Sequence, residues 1–166
     1  MGYYVHITDS FAVIPYENLP AALDAVRALD TRDDLKSGGS STGDKWFSWM
    51  NDFDLANAPS VASVLQKLGF DVDHGSYGGL SIIGYDNKTG DEGIFIQTLA
   101  PFIESGSYIE WQGEDNEAYR WEFHDGGMET QYDRRIPSWE VTANPIEDHV
   151  ALNAVLAAAR SRMAGK

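Results

Sequence analysis

Cysteine is absent from the 166-residue chain. That removes disulfides, thiolate nucleophiles and every Cys-based metal site at once. No run of about 18 apolar residues exists either, so no helix is expected to span a membrane. Positive charge is scarce: Lys and Arg total 12 against 26 acids, for a formal charge of −14 and a pI near 4.4. Such a surface repels phosphate backbones, and no basic patch offsets it, so direct binding to nucleic acid or anionic lipid is disfavoured. The opening Met1-Gly2-Tyr3-Tyr4-Val5-His6 lacks the basic start and apolar stretch of a secretory signal. The expected location is therefore cytoplasmic. No repeat, low-complexity tract or linker divides the chain, so one globular domain over 1–166 is expected.

The acids that are present are unevenly spread. Residues 104–140 hold ten of them (Glu104, Glu110, Glu114, Asp115, Glu117, Glu122, Asp125, Glu129, Asp133, Glu140) against Arg120, Arg134 and Arg135. The same stretch is rich in Trp and Tyr, so it has the apolar content to fold and is not a disordered acidic tail. It reads either as a solvated sheet face or as a surface built to meet a basic partner.

Periodicity gives an α+β protein, an antiparallel sheet with about four helices on one face. Tyr3–Thr8 reads as a strand with Phe11–Ile14 as its hairpin partner. A helix follows, capped by Asn18, with Pro20 in its first turn and Leu19, Leu23, Val26 and Leu29 as its stripe. Arg32–Lys45 reads as a flexible Gly/Ser loop, leading into the apolar knot of Trp46, Phe47, Trp49 and Met50. A second helix is expected from about Ala58, stopped at Gly69. Gly79–Tyr85 reads as a strand. Asp91–Pro101 is ambiguous: a cap at Asp91 and the spacing of Phe95, Leu99 and Phe102 favour a helix, while Ile94-Phe95-Ile96 would equally suit a strand. A last helix has Asn144 as its cap and Pro145 in its first position, with Glu147 completing a capping box.

Residues 106–135 are the most legible. Ser107–Gln112 and Glu117–His124 flank Glu114-Asp115-Asn116, a three-residue hairpin loop in which Asn116 takes the left-handed position. This pairs Trp111 with Tyr119, Ile109 with Trp121 and Glu110 with Arg120, gathering apolar residues on one face and opposite charges on the other. A second turn at Gly126-Gly127 would set His124 opposite Glu129 and Arg120 opposite Asp133. Turning at Asp125-Gly126 instead would set Glu122 against Glu129, so the first register is preferred. The whole reads as a three-stranded meander with one apolar and one ionic face.

Few motifs carry chemistry. Gly38-Gly39-Ser40-Ser41-Thr42-Gly43-Asp44-Lys45 brushes the phosphate-loop pattern, but Asp44 intervenes before the lysine and no apolar strand precedes it. Ser41 sits at the centre of a nucleophile-elbow spacing, yet Arg32–Lys36 is polar where a buried strand is needed. His6, His74, His124 and His149 show no paired spacing of a zinc site, and Lys88 stands where a calcium loop wants an oxygen donor. Glu110 and Glu122 share a face as a glycosidase pair would, but an Arg120 opposite Glu110 is the wrong neighbour for a general acid, which needs its proton held. No metal or other cofactor is implied.

The opening Met1–Ser10 and the hairpin Gly106–Asp115 resemble small acidic proteins of actinobacteria and their phages. The resemblance implies an accessory protein that acts by binding a host protein, and no catalytic residue carries over. The expectation is a non-catalytic interaction module, an inhibitor or nucleic-acid mimic, docking on a basic, nucleic-acid-handling protein. Its contact residues would be Glu110, Glu114, Asp115, Glu117, Glu122 and Glu129, with Trp46 and Trp49 as aromatic anchors. Rival readings are a small-ligand pocket or enzyme lined by aromatics and carboxylates, and an assembly subunit of a larger particle.

Overall fold

A computed structural model of the chain describes residues 2–133 and 139–143. Its strands are β1 (Tyr4–Pro15), β2 (Gly38–Gly39), β3 (Lys45–Trp46), β4 (Phe70–His74), β5 (Gly79–Lys88), β6 (Tyr108–Gly113), β7 (Ala118–His124), β8 (Gly127–Asp133) and β9 (Trp139–Ala143). The helices are α1 (Leu19–Ala28), α2 (Val61–Leu68) and α3 (Glu92–Leu99). The protein is α+β: one antiparallel sheet in the order β4-β5-β1-β6-β7-β8-β9, and a two-stranded sheet of β2 and β3. Three α-helices stand among the described residues where about four were expected; the one starting at Asn144 lies outside those residues.

The expected β-hairpin at residues 3–14 is corrected. Tyr4–Pro15 is one long strand at the middle of the sheet, paired with β5 on one side and β6 on the other. Thr8-Asp9-Ser10 reads as a turn by composition, but the register shifts around it, so the polar residues mark a bulge inside a strand. β4 and β9 were not foreseen, and the sheet is accordingly wider than residues 106–135 alone implied.

Local chemistry explains most element ends. Ser60 caps α2 by accepting from the Ser63 N–H at 3.0 Å, and Gly69 closes it at φ +109, a conformation glycine enters without a Cβ penalty. Asn18 and Asp91, by contrast, do not cap: the Asn18 amide donates to the Phe102 carbonyl, and Asp91 is used elsewhere. Arg32–Lys45 is not the open loop expected. It forms 3-10 turns, then a tight ladder in which Gly38 faces Trp46.

The hairpin of β6 and β7 has the expected register, Ile109 with Trp121, Glu110 with Arg120 and Trp111 with Tyr119, and Asn116 is left-handed at φ +64. The next turn is a correction: Asp125 and Gly126 are its centre, both at positive φ, so Glu122 lies opposite Glu129 and Arg120 opposite Gln131. A two-residue turn of this hand matches strand twist, which outweighs the like-charge pairing. One face of the sheet closes with the three helices over a single core that includes Val26, Leu65, Phe95, Trp111, Trp121 and Phe123.

Candidate functional site

The sheet's other face carries the charges, and most of them answer one another. Arg120 is the centre. Its guanidinium donates to the Glu110 carboxylate across one strand boundary and reaches Glu122 at 3.3 Å, while it lies 4.7 Å over the Tyr108 ring. The Tyr108 hydroxyl donates to Asp9 at 2.9 Å, and that carboxylate, as acceptor, raises the tyrosine above its ordinary pKa. On the far side the Gln131 amide donates to Glu122 at 2.6 Å, and His124 sits 3.5 Å from Glu122 and 3.6 Å from Glu129. The polar ladder therefore runs across β1, β6, β7 and β8, and it explains how Glu122 and Glu129 tolerate being opposite each other.

The residues expected to face a partner divide accordingly. Glu110 and Glu122 are engaged with Arg120, with about a fifth of each side chain exposed at 22% and 24%. Glu129 lies beside His124. Glu117 is a correction: it is buried, and the Tyr3 hydroxyl donates to it from beneath the hairpin, so it presents nothing to solvent. Of these expected contact acids, Glu114 and Asp115, at the hairpin tip, are the ones that are exposed and have no ion pair among the described residues. The tip itself is anchored, since the Glu114 N–H donates to the Tyr4 carbonyl at 3.0 Å. The aromatic knot is split: Phe47 and Met50 are core, Trp46 is half-buried on β3, and Trp49 is exposed at φ +69.

Two features escaped sequence reasoning. First, Asp91 and Glu92, side by side at the start of α3, are buried with no ion pair among the described residues. Asp91 is satisfied by hydroxyls and amides: one of its oxygens accepts from the Ser37 hydroxyl at 2.7 Å and the Ser48 N–H at 2.8 Å. Glu92 accepts the Gly90 N–H at 2.5 Å and its own backbone N–H, and no side chain donates to it among the described residues. Burial, with a smaller push from Asp91, raises its pKa to about 7. Tyr85 beside it is raised too, first by burial and then by the Glu92 charge. The signal available in the sequence was an acidic pair abutting Gly93-Ile94-Phe95, but acids at a helix start normally face water.

Second, the open face is not wholly ionic. Phe11 and Tyr108 are partners on β1 and β6, Ile83 projects from β5, and Tyr77 packs edge-on to Phe11 with ring centroids 5.0 Å apart. Away from this face, a pocket of about 390 Å³ lies between the starts of α1 and α2, lined by Leu19, Leu23, Val61 and His74 among others. A second, of about 310 Å³, is walled by Lys36, Asp44, Trp46 and Phe53. Neither pocket includes Glu92. Among the described residues, no three His, Asp or Glu converge as metal ligands would.

No family model matches the chain, and neither a curated protein nor a solved structure is similar to it.

Proposed function

We propose that this chain is a non-catalytic protein-interaction module whose acidic surface docks on a basic region of another protein, a nucleic-acid-handling protein being the fitting class. One observation carries the reading: Glu114 and Asp115 project from an anchored hairpin tip, with no ion-pair partner among the described residues, on a chain of net charge −14. Fixed negative charge on a rigid support speeds encounter with a positive surface and selects its sign. The module acts as an inhibitor if the basic region it covers is its partner's working surface. Imitation of a phosphate backbone rests on Glu114, Asp115 and Glu129, because Glu110 and Glu122 already answer to Arg120.

The test is affinity capture on the immobilised chain from its native cells, at about 50 and about 300 mM salt, with Glu114→Gln/Asp115→Asn beside the wild type. Basic proteins retained at low salt, released at high salt and weakened by the double variant support the reading. Retention that ignores both salt and the variant overturns it. A second reading, small-ligand binding, is favoured by the apolar 390 Å³ pocket between α1 and α2. Thermal stabilisation by a metabolite, but by no basic protein, would support that one instead.

A further inference from the structure

We infer that the docking surface of this module is the aromatic patch of Phe11, Tyr77, Ile83 and Tyr108 on the open sheet face, and that its occupant is a protein segment whose apolar side chains are bracketed by lysine or arginine. The inference rests on the interaction reading above and says where, and by what chemistry, the partner is held.

Folding alone gives no reason for the patch. Phe11 is 37% exposed, Ile83 55% and Tyr77 72%, and all lie on the side of the sheet away from the helices and the core. Tyr77 is also held there at a cost. Its backbone is left-handed at φ +60, between Gly75 at +93 and Gly78 at +74. A tyrosine in that region is strained by its own Cβ, and such strain persists where the surroundings or a function require it. Here the surroundings use the turn, not the ring. The turn closes over Ser81, whose hydroxyl reaches the Ser76 carbonyl, whereas the Tyr77 ring is exposed and packs edge-on to Phe11. An apolar residue with an adaptable polar tip, presented from a strained turn, is the kind of group that anchors interfaces.

The rim fixes the partner's chemistry. Asp73 pairs with Ser81 on one side, Glu104 donates its N–H to Val13 at 2.8 Å on the other, and Asp9 holds the Tyr108 hydroxyl. None of these three carboxylates has an ion pair among the described residues. The cation nearest the patch, Arg120 over Tyr108, is matched by Glu110 and Glu122. The field over the aromatic surface is therefore negative. It repels phosphate, and it disfavours a second copy of the same face, since two acidic rims would meet. A segment with apolar anchors between lysines or arginines fits both parts of the surface.

The test is selection of random peptides of about 12 residues on the full-length chain, followed by titration of labelled winners into wild type, Tyr77→Gly, Ile83→Thr and Glu114→Gln/Asp115→Asn. The expected winners bracket apolar residues with Lys or Arg. Tyr77→Gly and Ile83→Thr should each weaken them about fivefold or more, with melting unchanged or, for Tyr77→Gly, raised by the relief of strain. The tip variant should weaken them too, but by less than either patch variant, because its charges steer the encounter more than they hold the complex. Winners lost with the tip variant but not with Tyr77→Gly or Ile83→Thr overturn the patch and leave the module reading standing. Winners without basic residues, or sedimentation showing self-association abolished by Ile83→Thr, overturn the stated occupant. A chain that retains no peptide and no basic protein overturns both readings.

Discussion

Carboxylates are gathered at two places in this molecule, and the two handle their charge in opposite ways. On the open sheet face Glu110 and Glu122 share a guanidinium, at positions where water still reaches them. At the start of α3, Asp91 and Glu92 are 2% and 3% exposed and have no ion pair among the described residues. Among the described residues the negative charge there is answered by dipoles alone, serine hydroxyls and backbone amides for Asp91 and backbone amides without any hydroxyl for Glu92. The first arrangement neutralises charge and costs little to hold. The second cannot neutralise it, so one of the two acids gives way and keeps its proton near neutral pH. The number of donors decides which. Asp91 is the better-solvated acid, and Glu92 is the one that is raised.

The contrast is sharpest in Asp91→Ala. One Asp91 oxygen draws together Ser37 and Ser48, the two ends of the segment that carries β2, β3 and Trp46. Removing it leaves several part-buried N–H and O–H donors without their shared acceptor, for an expected loss of about 3–5 kcal/mol. Urea unfolding should show it as a fall in midpoint, with tryptophan emission from that segment moving first. A loss below about 1 kcal/mol would mean water replaces the carboxylate and the dipole account is wrong.

Glu92→Gln should act with the opposite sign. A carboxyl whose folded pKa lies above its unfolded value gives the native state more bound protons than the unfolded one. Stability is then greatest below the unfolded pKa and falls as pH rises through the folded one. For Glu92 the window runs from the ordinary value of 4.5 to about 7. Glutamine keeps the oxygen that accepts from Gly90 and carries no charge. The variant should therefore match wild type near pH 4 and gain on it steadily up to pH 7. Above that the gain should hold at about 2–3 kcal/mol. Paired melts at pH 4, 6 and 8 decide it: a constant difference between the two proteins would show that folding leaves the Glu92 pKa at its ordinary value.

What the sequence made legible follows the same division. The hairpin of β6 and β7 could be read because its register is over-determined: the loop length, the aromatic pairs and the Glu110–Arg120 pair all ask for one alignment. The turn after His124 could not be read by charge. Putting Glu122 opposite Glu129 looked costly, but Arg120, Gln131 and His124 all attend that pair from the sides. The central strand was hidden for a related reason, since Asp9 and Ser10 are polar in a strand whose bulge lets both find local partners. Buried acids are the hardest case. Nothing in the composition around Asp91 distinguishes a solvated helix start from one sealed by a serine-bearing loop more than forty residues earlier in sequence, and the partners Ser37 and Ser48 are ordinary loop residues until they fold onto it.

The smallest expected effect comes from breaking the neutralised cluster. Arg120→Met keeps the length and apolar stem of the side chain, so packing on Tyr108 is largely preserved while the charge is lost. Glu110 and Glu122, each previously answered by the guanidinium, then repel across adjacent strands with water close by. Exposure softens the penalty to about 1–2 kcal/mol, and rising salt should shrink it, because screened like charges repel less. Adding Glu110→Gln and Glu122→Gln should restore most of the loss, since the triple variant has no charge left to answer. The coupling is the informative quantity. If the triple variant is no more stable than Arg120→Met alone, the arginine is there for its stacking on Tyr108. The ionic ladder would then be a consequence of that packing, and Glu110 and Glu122 would lack a committed internal partner and rejoin Glu114 and Asp115 as charges available to a partner.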